Sequence, residues 1–301
     1  MKFLKRFATL EAFANFVIDE NNSPNVTYID ELAATNNGVR YKVFDYATEY
    51  FTLIAVDNCY FSINVPHGDI SYSTDNGITW NSYSSCDPIE APSGTKILLK
   101  GNNYNSGWQS CQPSGLITGS NNEFKFDVQG NIMSLIYGDN FVGKTVLNAG
   151  TEFTGLFLGS GVRNAENLIL PATTLSYACY SYMFCNCPNL IKAPKILPAT
   201  ILASTCYANM FEGCFSLEKA PELPALTLVA NCYNHMFKYC YALNYIKCLA
   251  TDISAIDCTS GWMTNVNDYD VPNRIFVKNT NMNNWTIGDD GIPSGWIIQN
   301  A

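Results

Sequence analysis

From Leu170 to Cys258 the chain repeats itself every 26 or 27 residues, and this period limits its possible folds more than any other feature. One unit reads Leu170-Pro171-Ala172-Thr173-Thr174-Leu175, then Cys179-Tyr180, Met183-Phe184, Cys187, Leu190, Ala193-Pro194 and Leu197-Pro198. The next supplies Leu197-Pro198-Ala199-Thr200-Ile201-Leu202, Cys206-Tyr207, Met210-Phe211, Cys214, Leu217, Ala220-Pro221 and Leu223-Pro224. The third supplies Ala225, Leu228, Cys232-Tyr233, Met236-Phe237, Cys240, Leu243 and Ile246. A fourth begins at Ala250-Thr251-Asp252-Ile253, keeps Cys258 and places Trp262-Met263 where the others have Met-Phe. A degraded earlier copy is visible in Phe153, Leu156-Phe157 and Leu168-Ile169-Leu170. A unit this short cannot bury its apolar face alone, whereas stacked copies can.

Within a unit, Cys179, Tyr180, Met183, Phe184 and Cys187 fall at i, i+1, i+4, i+5 and i+8, which predicts one face of a short helix. Leu190 to Leu197 is apolar but contains Pro194, which predicts an extended stretch broken at the proline. The Pro-Ala-Thr-Thr that follows turns the chain into the next helix, with a hydroxyl near its cap. The chain has 12 cysteines. Cys179, Cys206, Cys232 and Cys258 occupy one slot of the repeat, and Cys187, Cys214 and Cys240 another. Helices stacked about 8–10 Å apart would hold equivalent cysteines beyond the ~4.4–6.8 Å Cα separation of a disulfide. Reduced thiols serving as small buried hydrophobes are the expectation. The spacings match no zinc pattern, and the histidines are His67 and His235 only, so neither a metal nor another cofactor is expected.

The string Met-Phe-x-x-Cys-x-x-Leu-x-x-Ala-Pro, at 183–194 and 210–221, resembles the BspA-like leucine-rich repeat, which typically carries Ala-Phe-x-x-Cys-x-x-Leu-x-x-Ile. This chain has Met for Ala and Ala-Pro for the strand residue, and its period is longer than the commoner form. The resemblance implies a leucine-rich-repeat solenoid over 132–258 and a kinship with surface adhesins of gut and oral bacteria. Residues 259–301 read as its cap, with a strand at Asn273–Lys278 and apolar closure by Met282, Trp285, Ile292, Trp296 and Ile297-Ile298.

Upstream, residues 47–131 carry several short alternating segments separated by turn residues, including the hairpin signal Asp75-Asn76-Gly77, and predict a β-sandwich-like domain. Residues 1–46 read as a small α+β module with a helix from Thr9 to Asp19, a strand at Val26–Ile29, a turn at Asn36-Asn37-Gly38 and a strand at Val39–Phe44. It is too small for a large core of its own and is expected to dock on something. The expected fold class is therefore α+β: an N-terminal anchor, a β-sandwich-like middle and a repeat solenoid. The phrase Pro24-Asn25-Val26-Thr27-Tyr28-Ile29, followed by Gly38-Val39-Arg40-Tyr41, is similar to the start of proteins of crAss-like and other Bacteroidales phages, where it precedes varied C-terminal domains. That likeness implies a common anchor with exchangeable tips, and Phe7, Leu10, Phe13, Val26 and Tyr28 are its candidate contacts with a virion. The ending, with Asn283-Asn284-Trp285 and Gly291–Trp296, resembles proteins of the same bacteria and phages. Glu11 and Asn15 interrupt the stretch after the basic start, which reads as an amphipathic helix and not as an export signal.

Charged residues are 14% of the chain, against about 25% in an average soluble protein, and the net charge is −9. Phosphate contacts need clustered Lys and Arg, so a nucleic-acid partner is not expected. No run of 18 apolar residues is present, so no membrane span is expected either. A surface rich in Asn, Ser, Thr and Tyr suits sugars or neighbouring subunits. There is no P-loop, G-x-G-x-x-G or G-x-S-x-G, and Asp268-x-Asp270 and Asp289-Asp290 read as solvated loop carboxylates. A non-enzymatic role is the expectation. Residues constant in every unit hold a stack together, which makes Tyr180, Tyr207 and Tyr233 core. Residues that differ at exposed slots are free to meet a ligand, which singles out Tyr182, Asn209, His235 and Tyr239. These readings point to a virion head fibre, decoration or tail-fibre protein. Residues 1–46 would bind capsid or tail proteins, and the repeats would meet a host-surface glycan or protein. A homo-oligomer is expected, a trimer by analogy with fibres. A bacterial BspA-like surface adhesin is the alternative.

Overall fold

The computed structural model describes residues 6–7, 28–35, 38–44, 46–63, 70–83, 88–102, 111–114, 124–269 and 271–301, with backbone pairing alone for 6–7, 28–35, 38–44 and 111–114. Strands β1 (Arg6–Phe7), β2 (Tyr28–Thr35) and β3 (Gly38–Phe44) form an antiparallel sheet in the order β1-β3-β2. Thr35 pairs with Gly38, and Asn36 and Asn37 of the expected turn lie outside the described residues. Phe7 lies opposite Val39, and Tyr28 opposite Phe44. The expected helix from Thr9 to Asp19, and with it Leu10, Phe13 and Val26, lies outside the described residues.

Two sheets follow. Strands β4 (Phe51–Ala55), β6 (Ile70–Ser73), β7 (Asn81–Ser82), β9 (Lys96–Gly101), β11 (Phe126–Asn131) and β12 (Val162–Ile169) make one of six strands, ordered β12-β11-β4-β9-β6-β7. Strands β5 (Cys59–Ile63), β8 (Ile89–Ala91) and β10 (Cys111–Ser114) make the other, ordered β10-β5-β8. Alternation in β5 puts Cys59, Phe61 and Ile63 inward, and the Phe61 ring meets Phe126 of β11 edge-on at 5.3 Å. The β6–β7 turn is closed by Asp75, which accepts from the Thr79 hydroxyl at 2.6 Å and the Ser73 hydroxyl at 2.7 Å. Those bonds hold its carboxyl down at about 2, below the usual carboxylate range. Strand β11 pairs antiparallel with β4 on one side and parallel with β12 on the other. The sheet thus runs across residues 131–132 into the repeats, and one apolar core spans both regions, with Phe51 and Phe126 each against Phe157.

The repeats correct the expected α+β class and its leucine-rich-repeat solenoid. Among the described residues the α-helix is α1 (Ser134–Tyr137), ahead of the repeats; the molecule is mostly β with mixed sheets. The segments expected to be helical, 178–187, 205–214 and 231–240, are successions of tight turns. The reason lies in the period. Every fourth residue has a positive φ: Ala178, Tyr182 and Asn186 in one unit, Thr205, Asn209 and Gly213 in the next, Asn231, His235 and Tyr239 in the third. An α-helix holds φ near −63° throughout and cannot include them. Alternate N–H groups bond three residues back, as Ser181 to Ala178 at 3.1 Å and Cys185 to Tyr182 at 3.0 Å. The others leave the unit: Tyr180 donates to the Cys206 carbonyl at 3.0 Å, Tyr182 to Ala208 at 2.9 Å and Phe184 to Met210 at 2.8 Å. Backbone bonds between units therefore do what helical bonds were expected to do within them, and the buried peptide groups are satisfied. Parallel bridges along Asn164, Lys192, Lys219 and Tyr245 tie another side of the stack.

This spacing overturns one step of the cysteine argument. Units joined like strands lie about 4.8 Å apart, inside the Cα range of a disulfide, so distance does not keep equivalent cysteines apart. In-register side chains instead keep their Cβ atoms at about the same 4.8 Å, beyond the ~3.5–4.5 Å a disulfide requires. The ten described cysteines are free and buried. Three of them tie one unit to the one before it. Cys187, Cys214 and Cys240 donate to the carbonyls of Phe157, Phe184 and Phe211 at 2.9, 3.0 and 3.1 Å. Burial pushes Cys187 and Cys248 up to about 12. The thiolate is the reactive form, so a thiol reagent at about pH 8 is expected to leave all ten unlabelled until denaturant is added. Peptide mass spectrometry of the labelled chain checks this, and native labelling at Cys214 would contradict it.

Two ladders of rings run through the interior. Phe157, Phe184, Phe211 and Phe237 stack at 5.0, 5.4 and 5.6 Å. Phe153, Tyr180 and Tyr207 stack at 5.7 Å each, and Tyr233 continues at 6.0 Å. The hydroxyls of Tyr180 and Tyr207 are buried without a hydrogen-bond partner among the described residues. An unpaired buried polar group costs ~1–3 kcal/mol, so Tyr207→Phe is expected to raise the unfolding free energy by about 1 kcal/mol, measured by urea denaturation. Loss of stability in that variant would mean the hydroxyl has a partner.

Strands β13 (Tyr245–Cys248), β14 (Ile275–Lys278) and β15 (Ile297–Asn300) form a parallel sheet at the C-terminal end. Trp262, in the slot of the earlier methionines, stacks on Tyr233 at 6.2 Å and on Trp285 at 5.4 Å, and so closes the ladder.

Candidate functional site

The left-handed corners align from unit to unit. One column runs Gly155, Tyr182, Asn209, His235, Gly261, and the next runs Gly159, Asn186, Gly213, Tyr239, Asn265. Three of the four residues expected to meet a ligand thus share one column, and Tyr239 stands in the neighbouring one. Their surroundings differ. Tyr182 is 42% exposed. Asn209 is only 8% exposed, and its amide donates to Glu212 at 2.5 Å. His235 is half-buried, with its imidazole over Gly261; a Cβ there would lie 2.6 Å from the ring. Asn186 covers Gly213 in the same way, at 2.5 Å. Glycine in these columns makes room for the side chain of the preceding unit.

Tyr239 leads to a feature that reading the sequence slot by slot missed. Its ring is 6.2 Å from Tyr241, and the Lys238 ammonium lies 5.0 Å from its centre. Tyr241 in turn sits between Phe215, at 5.3 Å and 20°, and Tyr269, at 4.6 Å and 31°. Phe215 and Tyr269 are 44% and 60% exposed, so these rings form an aromatic strip on the surface. The signal was present: Phe215 and Tyr241 each follow the cysteine of the same slot, where the first good unit has Pro188.

The strip ends at a cleft of about 430 Å³ lined by Asn267, Asp268, Tyr269, Asn273, Ser294 and Trp296, with Arg274 at its floor. Pairing of β14 with β15 brings these separate stretches together. Arg274 is the framework. Its Nε donates to Val271, its Nη1 to Leu243 and Val266, and its Nη2 to Tyr241 and Tyr269, all at backbone carbonyls. The Trp296 indole donates to Asn267 Oδ1 at 2.9 Å, and Asn267 Nδ2 donates to the Ser294 carbonyl at 3.0 Å. No protein-family model, curated protein or solved structure matches the chain. The cleft offers rings, amides, a hydroxyl and one carboxylate on a fixed backbone, a lining chemically suited to stacking and hydrogen bonding. Among the described residues no three His, Cys, Asp or Glu side chains gather where they could hold a metal ion. No described helix is long and apolar enough to cross a membrane.

Proposed function

We propose that the chain is a non-enzymatic structural protein of a phage particle, a head-fibre, decoration or tail-fibre subunit, which meets the host surface with its stacked repeats. The observation that carries this reading is the stack itself. Two interior ring ladders and unit-to-unit backbone bonds hold a fixed frame, while the aligned corner slots present an exposed Tyr182 in one unit and a half-buried His235 in another. A surface that varies on a constant frame is the design of a display and binding protein. The N-terminal likeness to Bacteroidales phage proteins supports attachment through residues 1–46, in which Phe7 and Tyr28 belong to one sheet. Capsid or tail proteins are the partners there, host-surface glycan or protein is the partner at the stack, and further copies of the chain complete an oligomer.

Cryo-electron microscopy of phage particles from a culture producing the chain tests the proposal. Density for the chain on the particle, with residues 1–46 against capsid or tail, is the expected result. Particles without the chain, and protein recovered from the bacterial envelope, would overturn it in favour of a bacterial surface adhesin.

A further inference from the structure

We infer that the cleft at the C-terminal end of the stack is a binding site for a neutral saccharide, with Tyr269 as its stacking wall; the biological role of such a site rests on the surface-binding reading above. Tyr269 lines the cleft and is 60% exposed, while Tyr241 backs its ring at 4.6 Å and does not line the cleft. A ring supported on one side is held in place before any ligand arrives, so little conformational entropy is lost when a flat apolar sugar face lies on it. Asn273 and Ser294 are exposed at the rim and offer an amide and a hydroxyl for sugar hydroxyls. Asn273 sits at φ 57°, so its backbone position is fixed by a left-handed corner.

Charge then narrows the ligand. Among the described residues, the one cation lining the cleft is Arg274, and a guanidinium has five N–H donors. All five point to backbone carbonyls of Val271, Leu243, Val266, Tyr241 and Tyr269. None is left for a carboxylate, sulfate or phosphate. Asp268 adds a negative charge at the same rim. An acidic sugar would thus meet Asp268 with no free guanidinium N–H to pair its own carboxylate, the Arg274 donors being held by backbone carbonyls, whereas a neutral pyranose meets a ring, an amide and a hydroxyl. Discrimination here comes from the repulsive element as much as from the attractive ones.

The test uses the full chain, titrated calorimetrically with neutral tetrasaccharides built of hexose, N-acetylhexosamine and fucose, and with their sialylated counterparts. Binding of at least one neutral glycan, at least tenfold tighter than its sialylated form, is expected. Tyr269→Ala should weaken it at least tenfold. Asn273→Gly, which keeps the left-handed corner, should weaken it severalfold. Ile78→Ala, exposed in the β6–β7 turn and not part of the cleft lining, should leave it unchanged. Asp268→Asn should narrow the gap between neutral and sialylated glycans, a shift that a merely structural role would not produce. Melting temperatures of the variants separate lost binding from lost folding. The inference fails if no neutral glycan binds at millimolar concentration, or if Tyr269→Ala binds as the parent does. Neither result depends on whether the chain is found on phage particles, so failure of the cleft and failure of the virion reading are told apart.

Discussion

Phe211→Ala is expected to lower the unfolding free energy by about 5 kcal/mol, the largest effect of any single truncation in the repeats. Phe211 is fully buried and stacked on both sides, against Phe184 at 5.4 Å and 3°, and against Phe237 at 5.6 Å and 4°. Truncating a buried phenylalanine costs ~3–5 kcal/mol through lost transfer energy and the cavity left behind. Two stacking contacts, at ~0.5–1.5 kcal/mol each, place this site at the upper end. The neighbours cannot collapse into the space, because backbone bonds to the units before and after fix their spacing: Phe184 donates to Met210, and Phe211 to Met236. In a stack whose stability is a sum of units and interfaces, loss at a central unit weakens both flanking interfaces. Chemical denaturation followed by the fluorescence of Trp262 and Trp285, two and three units away, measures the effect. Phe215→Ala, whose ring is on the surface strip, should cost about 1 kcal/mol or less. Similar losses in the two variants would show that the interior ladder is not what carries the stack.

The same ladder explains what could be read in the sequence and what could not. The inward set was legible. Cys179, Tyr180, Met183, Phe184 and Cys187 are all buried, and so are their counterparts in the next two units. A pattern of i, i+1, i+4, i+5 and i+8 fits one face whether the true period is about 3.6 or 4 residues, so the contents of the core survived a wrong backbone. What distinguishes the two is the conformation of every fourth residue, and there the residue types conceal it. Asn186, Asn231 and Gly213 favour a left-handed corner, but Ala178, Tyr182, Thr205 and Tyr239 do not. The corner becomes visible only when units are compared column by column, where Gly155 and Gly261 bracket Tyr182, Asn209 and His235. The hydrogen bonds that stabilise it run between units and leave no local trace. The cleft was hidden for a related reason. Its two halves, 267–274 and 294–296, meet through the parallel pairing of β14 with β15, a contact that no spacing within either half encodes.

Gly130→Ala carries the second large expectation, a loss of about 3–4 kcal/mol. Gly130 lies near the end of β11, where the strand has just finished pairing with β4 at Gln129 and still pairs with β12, opposite Leu168. Its φ is 81°, and a Cβ there would stand 2.1 Å from the carbonyl oxygen of Tyr50 and 2.8 Å from its carbonyl carbon. Nothing at that point is a flexible side-chain tip. Tyr50 is tied down by its hydroxyl, which donates to Asp139 at 2.7 Å, and the chain just before it by two bonds from Asn131, to the Glu49 carbonyl at 2.9 Å and the Ala47 carbonyl at 2.8 Å. The methyl group must therefore push backbone against backbone at the junction of the middle sheet and the repeats. A left-handed alanine costs ~1–2 kcal/mol, and forcing an atom into packed structure adds ~1–3 kcal/mol. Gly143→Ala separates the two contributions. Gly143 also has a positive φ, 78°, but a Cβ there meets nothing within 4 Å, so only the conformational cost of about 1 kcal/mol applies. The difference between the two variants in denaturant midpoint at constant slope is then the steric cost of parting Tyr50 from β11. Equal midpoints would mean that the sheet and the repeats can separate at this point without loss, and that the continuous core around Phe51, Phe126 and Phe157 does not bind the two regions together.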